Sequence, residues 1–250
     1  MSEFRKARNG ETAKYRFSPT DMYKCPIQLL KKKKEGIEYK YTEEVYDKFE
    51  KGNRIHNTEG IAREGARGNL GCEERMSLIH KSGKYMFNGY QDFNMLHPLV
   101  GEYIEDLKSC DRKAFYHFNN DPSNWSEKIQ VSCYRWMRYV LHGYKTEHAI
   151  ITKIDRDNPL NRISLEIDLF PVNYTEQFIL NHPTVLKLTG TISQERFNQA
   201  TELIIRGNRW VCRYCEDKKT CPLNKKLTAE EKRLKKEKKE KKEVFNKLLA

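Results

Sequence analysis

A chain of 250 residues with 38% hydrophobic and 11% aromatic residues can bury one sizeable core and is only marginally long enough for two. Charged residues at 33% with a mean hydropathy of −0.87 give that core a very polar surface. A formal net charge of +12 favours polyanionic partners, nucleic acid ahead of an anionic membrane surface. The opening MSEFRKARNGETAKYRF has no apolar leader and no run of eighteen apolar residues follows, so neither secretion nor a membrane span is expected. A cytoplasmic, reducing setting is the expectation for the seven cysteines, where clustered thiols bind metal or do redox work more often than they form disulfides.

In chain order, Ser18–Asp21 (SPTD) supplies capping chemistry for a short helix around Cys25. Residues 42–66 place Val45, Phe49, Ile55 and His56 near a helical period that Gly52 and Asn53 interrupt. Residues 75–96 read as two alternating strands joined at Lys81–Lys84, the hairpin ending near Asp92, and 103–110 (YIEDLKSC) as a third. A polar loop runs to Trp125. Residues 126–142 carry Ile129, Cys133, Trp136, Met137 and Val140 at helical spacings behind Ser126 as cap.

HAIITKI and ISLEIDLF are strand-like about the turn RDNPLNR, and 174–206 is mostly helical text around His182–Pro183. The Lys/Glu tail has too few apolar residues to bury a face and predicts a solvated helix. Within it, residues 225–250 hold eleven Lys or Arg against five Glu. The order of helix, strands, helix, strands, helix predicts an α/β or α+β core.

Asp106 and Lys108 stand two apart on a strand, so both leave one face while Leu107 leaves the other. An acid and a lysine so placed suit a hard divalent cation and charge developing on a phosphate. An isolated acid-x-Lys triplet is more often a solvated strand edge. Asp92 adds a second carboxylate, His56 offers an imidazole suited to Mn²⁺, and Gln130 and Tyr134 share one helix face at i and i+4. Each also has a plain structural role: a turn acid, a packed histidine, a half-buried tyrosine.

Cys212, Cys215 and Cys221 place three thiols in one short stretch, and Cys25 is the candidate fourth ligand. Four thiolates suit tetrahedral Zn²⁺ or a [4Fe–4S] cluster. Cys133 reads as core, and Cys72 and Cys110 as isolated.

The series His56, Gly89-Tyr-Gln-Asp92, Asp106-Leu-Lys108, Gln130-x3-Tyr134, with the remote cysteine and the C-terminal trio, resembles the RecB-type iron–sulfur branch of the PD-(D/E)XK nucleases. That branch includes CRISPR-associated RecB-like exonucleases and the nuclease domains of some helicase–nucleases. The resemblance covers about residues 18–225. It implies a restriction-endonuclease-like α/β core, a mixed central sheet flanked by helices, with a C-terminal four-cysteine metal-cluster region. Residues 1–224 would form the nuclease domain and 225–250 a basic tail.

The resemblance further implies that His56, Asp92 and Asp106 bind Mn²⁺ or Mg²⁺. Asp92, Asp106, Lys108, Gln130 and Tyr134 become the catalytic set, and Cys25, Cys212, Cys215 and Cys221 hold the [4Fe–4S] cluster, zinc being the alternative. The expected activity is metal-dependent exonucleolytic hydrolysis of single-stranded or frayed DNA ends, as in CRISPR adaptation, viral DNA processing or recombination. No motor motif accompanies it, so an integrase or helicase partner is expected for unwinding or integration; the oligomeric state stays open. The competing expectation is a non-cleaving nucleic-acid adaptor that keeps the fold and the cluster.

Overall fold

The computed structural model describes residues 2–36, 43–64, 68–120, 125–143, 146–212 and 215–248. Among them, seven strands form one mixed sheet. The strands are β1 (Phe4–Lys6), β2 (Tyr15–Phe17), β3 (Asn69–His80), β4 (Tyr85–His97), β5 (Gly101–Cys110), β6 (His148–Asp155) and β7 (Arg162–Glu166). The spatial order is β1-β3-β4-β5-β6-β7, with β2 parallel to β4 off that path. Strands β3, β4 and β5 run antiparallel, then β5 and β6 pair in parallel. A parallel pair needs a crossover, and α4 (Trp125–His142) lies within it, after α3 (Arg112–Asn120). The α/β expectation, a mixed sheet with flanking helices, describes this architecture.

The remaining helices are α1 (Pro26–Glu35), α2 (Glu43–Glu64), α5 (Val172–Leu180), α6 (Pro183–Thr189), α7 (Gln194–Gly207) and α8 (Pro222–Leu248). Helix α4 is buried along most of its length because Ile129, Cys133, Trp136 and Met137 recur at helical spacing. They meet Phe87, Ile104, Ala149 and Ile151 of the sheet in the main core. A smaller cluster of Phe93, Met95, Leu107 and Ile154 occupies the opposite face, with Ile55 of α2 against it.

Helix α2 is fastened there by charge. Arg63 donates to both carboxylate oxygens of Glu105, at 2.6 and 3.1 Å, and Arg162 reaches Glu59 at 2.9 Å. Thr152 Oγ1 also donates to Glu105 at 2.7 Å, so the buried Glu105 and Glu59 carboxylates both have partners.

Several expectations are corrected. The hairpin does not end near Asp92: β4 continues to His97, because Phe93 and Met95 are core residues of the second cluster. The polar stretch after residue 109 contains α3, whose Phe115 is buried. The second strand of the later pair stops at Glu166, short of Phe170. Gly52 does not interrupt α2; it lets the helix approach β5, where a Cβ would stand 2.8 Å from Ser109 Oγ. The tail is helical, continuous with α8 from Pro222. No helix among the described residues is long and apolar enough to cross a membrane.

Candidate metal and phosphodiester site

Strand β4 has one edge covered by β3 and the other shared between two partners. On that shared edge β2 pairs with Tyr85–Phe87 and β5 with Phe93–His97, which leaves residues 88–92 without a strand neighbour. The β4–β5 ladder stops at Phe93–Glu105. One step further the backbone N–H of Leu107 is satisfied by Asp92 Oδ2 at 2.8 Å. A carboxylate thus takes over where the ladder parts.

The strand also changes face here. Gly89 packs toward α4, where a Cβ would lie 3.1 Å from Tyr134 and 3.2 Å from Met137, whereas Phe93 belongs to the cluster on the other face. Residues four apart on a regular strand share a face, so β4 kinks between them while its register with β3 stays unbroken. The kink brings Asp92 beside Asp106. On β3 the residue between those paired with Gln91 and Phe93 is Glu73, whose φ of 49° is the one positive value at a non-glycine residue among those described.

The predicted residues converge. Lys108 Nζ lies 2.6 Å from Asp106 Oδ2, an ion pair too poorly aligned to count as a hydrogen bond, since that oxygen has no hydrogen-bond partner. Gln130 Nε2 donates to Asp106 Oδ1 at 3.3 Å and to the Tyr134 hydroxyl at 3.1 Å. His56 Nδ1 stands 3.7 Å from Asp92 Oδ1, an electrostatic contact beyond hydrogen-bond length.

Burial first, and then the Asp106 charge, push the Asp92 carboxyl up to about 7. Burial would lower the Lys108 ammonium, but Asp106 and Asp92 outweigh it and its pKa is raised. Burial and the Lys108 charge lower His56, leaving the imidazole neutral and its nitrogen lone pair available. Burial raises the Tyr134 hydroxyl, and Tyr23 is pushed up to about 12 by burial and by Asp106.

Three neighbours carry no motif in the sequence. Lys153 of β6 pairs in register with Lys108 and binds Glu127 of α4 at 2.8 Å. Glu127 Oε2 is buried without a hydrogen bond, and burial raises that carboxyl. Tyr23 ends the 3-10 turn Pro19–Tyr23 that faces the open edge through Pro19. The available signals were a lysine inside the apolar HAIITKI and a glutamate three residues before Gln130, on its helix face.

The donor set, two carboxylates and a neutral imidazole, fits a hard or borderline divalent cation. So does the raised Asp92 pKa, which marks a carboxylate short of positive charge. Among the described residues no three His, Cys, Asp or Glu side chains are already gathered in ligand geometry. Lys108 holds Asp106 instead.

The cysteines are likewise ungathered free thiols. Cys25 precedes α1, Cys212 ends the 3-10 turn Arg209–Cys212, Cys215 precedes the turn Glu216–Lys219, and Cys221 precedes α8. They lie near enough to act on one another's ionisation. After burial, Cys212 and Cys215 raise Cys25, and Cys221 raises both Cys212 and Cys215. Gln28 of α1 donates to Cys215 Sγ at 2.5 Å, and Lys31 pairs with Asp217 at 2.8 Å. Cys133 is fully buried in the core, as its helical position predicts.

The sequence matches no protein-family model and no curated protein. Among solved structures it is similar to SSO0001, at 15% identity and a TM-score of 0.52 over 85% of this chain and 88% of that one. It is also similar to a candidate exonuclease from Eubacterium rectale, at 16% identity and a TM-score of 0.41 over 72% of this chain and 84% of that one, a likeness too loose to carry weight. The likeness to SSO0001 shows a common fold across most of both chains.

Proposed function

We propose that this chain is a divalent-metal-dependent DNA nuclease of the RecB-type PD-(D/E)XK kind that trims single-stranded or frayed ends. The observation that carries the reading is the meeting of Asp92, Asp106 and Lys108 where β4 and β5 part, with Gln130 and Tyr134 bonded over them. The net charge of +12 supports a polyanionic substrate. The shared fold with SSO0001 is compatible with it.

In this reading His56, Asp92 and Asp106 would hold Mn²⁺ or Mg²⁺. When bound, such an ion lowers the pKa of water and draws charge off a phosphoryl oxygen. Lys108, released from Asp106, orients the attacking water and faces the charge growing on the phosphate. Gln130 fixes the Asp106 carboxylate, and Tyr134 fixes Gln130. Cys25, Cys212, Cys215 and Cys221 would hold a [4Fe–4S] cluster, the all-sulfur donor set supporting it over a mixed-ligand site; zinc is the alternative occupant. The place of the trimming step, in CRISPR adaptation, viral DNA processing or recombination, and any integrase or helicase partner follow from the family resemblance alone.

The test is digestion of end-labelled single-stranded DNA with Mn²⁺ or Mg²⁺ by the wild type and Asp106→Ala. Ends shortened by the wild type alone support the nuclease. Intact DNA with the wild type under both metals removes it in favour of a non-cleaving adaptor.

A further inference from the structure

Residues of β1, β2, β3 and β4, the loop after β1, and Leu141 and His142 at the end of α4 enclose a cavity of about 340 Å³. Lys6, Arg8, Arg16 and Arg75 line it, all exposed. Its two acids are already engaged: Glu11 takes both guanidinium nitrogens of Arg5, at 2.6 and 2.9 Å, and Glu74 takes Arg138 at 2.6 Å and His142 at 3.0 Å. None of the four lining cations has an ion pair among the described residues. Four like charges around one hollow repel one another unless an anion joins them.

Along β4, Tyr90 stands between the hollow's lining residue Asn88 and Asp92. Arg75 and Tyr90 are cross-strand neighbours, and the guanidinium sits 6.0 Å from the ring centroid. Tyr90 is 58% exposed, two residues before Asp92 on the stretch of β4 whose other edge has no strand neighbour. An exposed aromatic beside a cationic groove is the combination that holds single-stranded nucleic acid, bases stacking on the ring while phosphates follow the cations. Asn88, which also lines the cavity, is about 13 Å of strand from Asp92.

We propose that this cavity and Tyr90 form a binding track for single-stranded DNA, phosphates held by Lys6, Arg8, Arg16 and Arg75 and a base stacked on Tyr90, feeding the strand to the site at Asp92. The choice of DNA and the direction of feed rest on the nuclease reading; the track itself rests on the cavity's charge and Tyr90.

The test is fluorescence anisotropy of a labelled single-stranded oligonucleotide on the full chain, in EDTA so that nothing is cut, across a salt series. Arg16→Gln/Arg75→Gln is expected to bind at least tenfold more weakly, with a log–log salt slope shallower by about 1.4 for two lost phosphate contacts. Tyr90→Ala is expected to lose about tenfold with the slope unchanged. Lys235→Gln/Lys236→Gln on α8 is the control for general charge and should lose far less.

Equal losses from the α8 and cavity pairs would overturn the track, as would a wild type that binds no oligonucleotide. Cavity variants that bind like a wild type shown to cleave would overturn the track and leave the nuclease standing. A wild type that never cleaves, but loses binding through the cavity variants, would support the track and remove the nuclease.

Discussion

At the scale of residues, the decisive fact is that two carboxylates and one lysine share a pocket, so the charges do not balance. Asp106→Ala removes the acid that Lys108 and Gln130 both hold, and hydrolysis is expected to fall at least a hundredfold with Tm nearly unchanged; end-labelled digestion and a thermal melt check this. Asp92 yields a pH signature. Its folded-state value of about 7 lies above the ordinary carboxylate value of 3.8, so the folded chain keeps a proton that the unfolded chain has released. Its contribution to stability is therefore present below about pH 4 and is lost as pH rises to about 7.

Asp92→Asn keeps an acceptor for the Leu107 N–H and removes the charge. The metal-free variant is expected to match the wild type in unfolding free energy from urea denaturation at pH 4 and to exceed it by about 2 kcal/mol at pH 8. These residues were legible in the sequence because acid-x-Lys on a strand and Gln-x3-Tyr on a helix are local spacings. Glu127 and Lys153 were not, since their pairing depends on β6 lying beside β5, a contact made across an entire crossover.

At the scale of elements, what the sequence concealed is how strands and helices depart from regularity. The alternation ends the hairpin near Asp92, but the strand runs on to His97, and the kink between Gly89 and Phe93 exchanges its faces. Strands β1 and β2 are three residues each, too short for alternation to be visible. In α2, glycine looks like a break and serves as a contact. Gly52→Val is expected to cost about 1–3 kcal/mol by forcing α2 off β5 and to weaken Mn²⁺ binding through His56 one turn on, and Ser109→Gly should restore part of both; urea melts and metal titration of the single and double variants check it.

The helical text of 174–206 divides at His182, which caps α6 by accepting the Thr184 N–H at Nδ1, 3.3 Å away, while its Nε2 is buried unbonded. Burial lowers this imidazole to about 4. Below pH 6.5 the unfolded chain takes up a proton that the folded chain refuses, so the contribution of His182 to stability is expected to fall by about 3 kcal/mol between pH 6.5 and pH 4, against the rise from Asp92. His182→Asn, a cap that does not titrate there, should flatten that limb of the profile in urea denaturation.

At the scale of the whole molecule, segments far apart in the chain meet at one junction. Asn208 Nδ2 donates to the Tyr23 carbonyl at 2.6 Å, and Thr184 Oγ1 to the Pro26 carbonyl at 3.2 Å. Cys25 lies between Tyr23 and Pro26 at this junction and Cys212 four residues after Asn208, and Tyr23 feels the charges of Lys108 and Asp106. Closing so long a loop is costly in chain entropy, and two hydrogen bonds offset little of it. A cluster on the four thiols would bind the folded chain far better than the unfolded one and so stabilise it.

Cys25→Ala and Cys221→Ala are therefore expected to lose iron, sulfide and several degrees of Tm together in anaerobically purified protein, whereas Cys110→Ala keeps all three. Loss of the junction should also loosen Tyr23 and lower nuclease turnover without abolishing it, because no cysteine touches Asp92 or Asp106 among the contacts described. Stoichiometric zinc with neither iron nor sulfide in the wild type would replace the cluster with a zinc site. A metal-loaded wild type no more stable than the cysteine variants would show that the hydrogen bonds alone hold the junction.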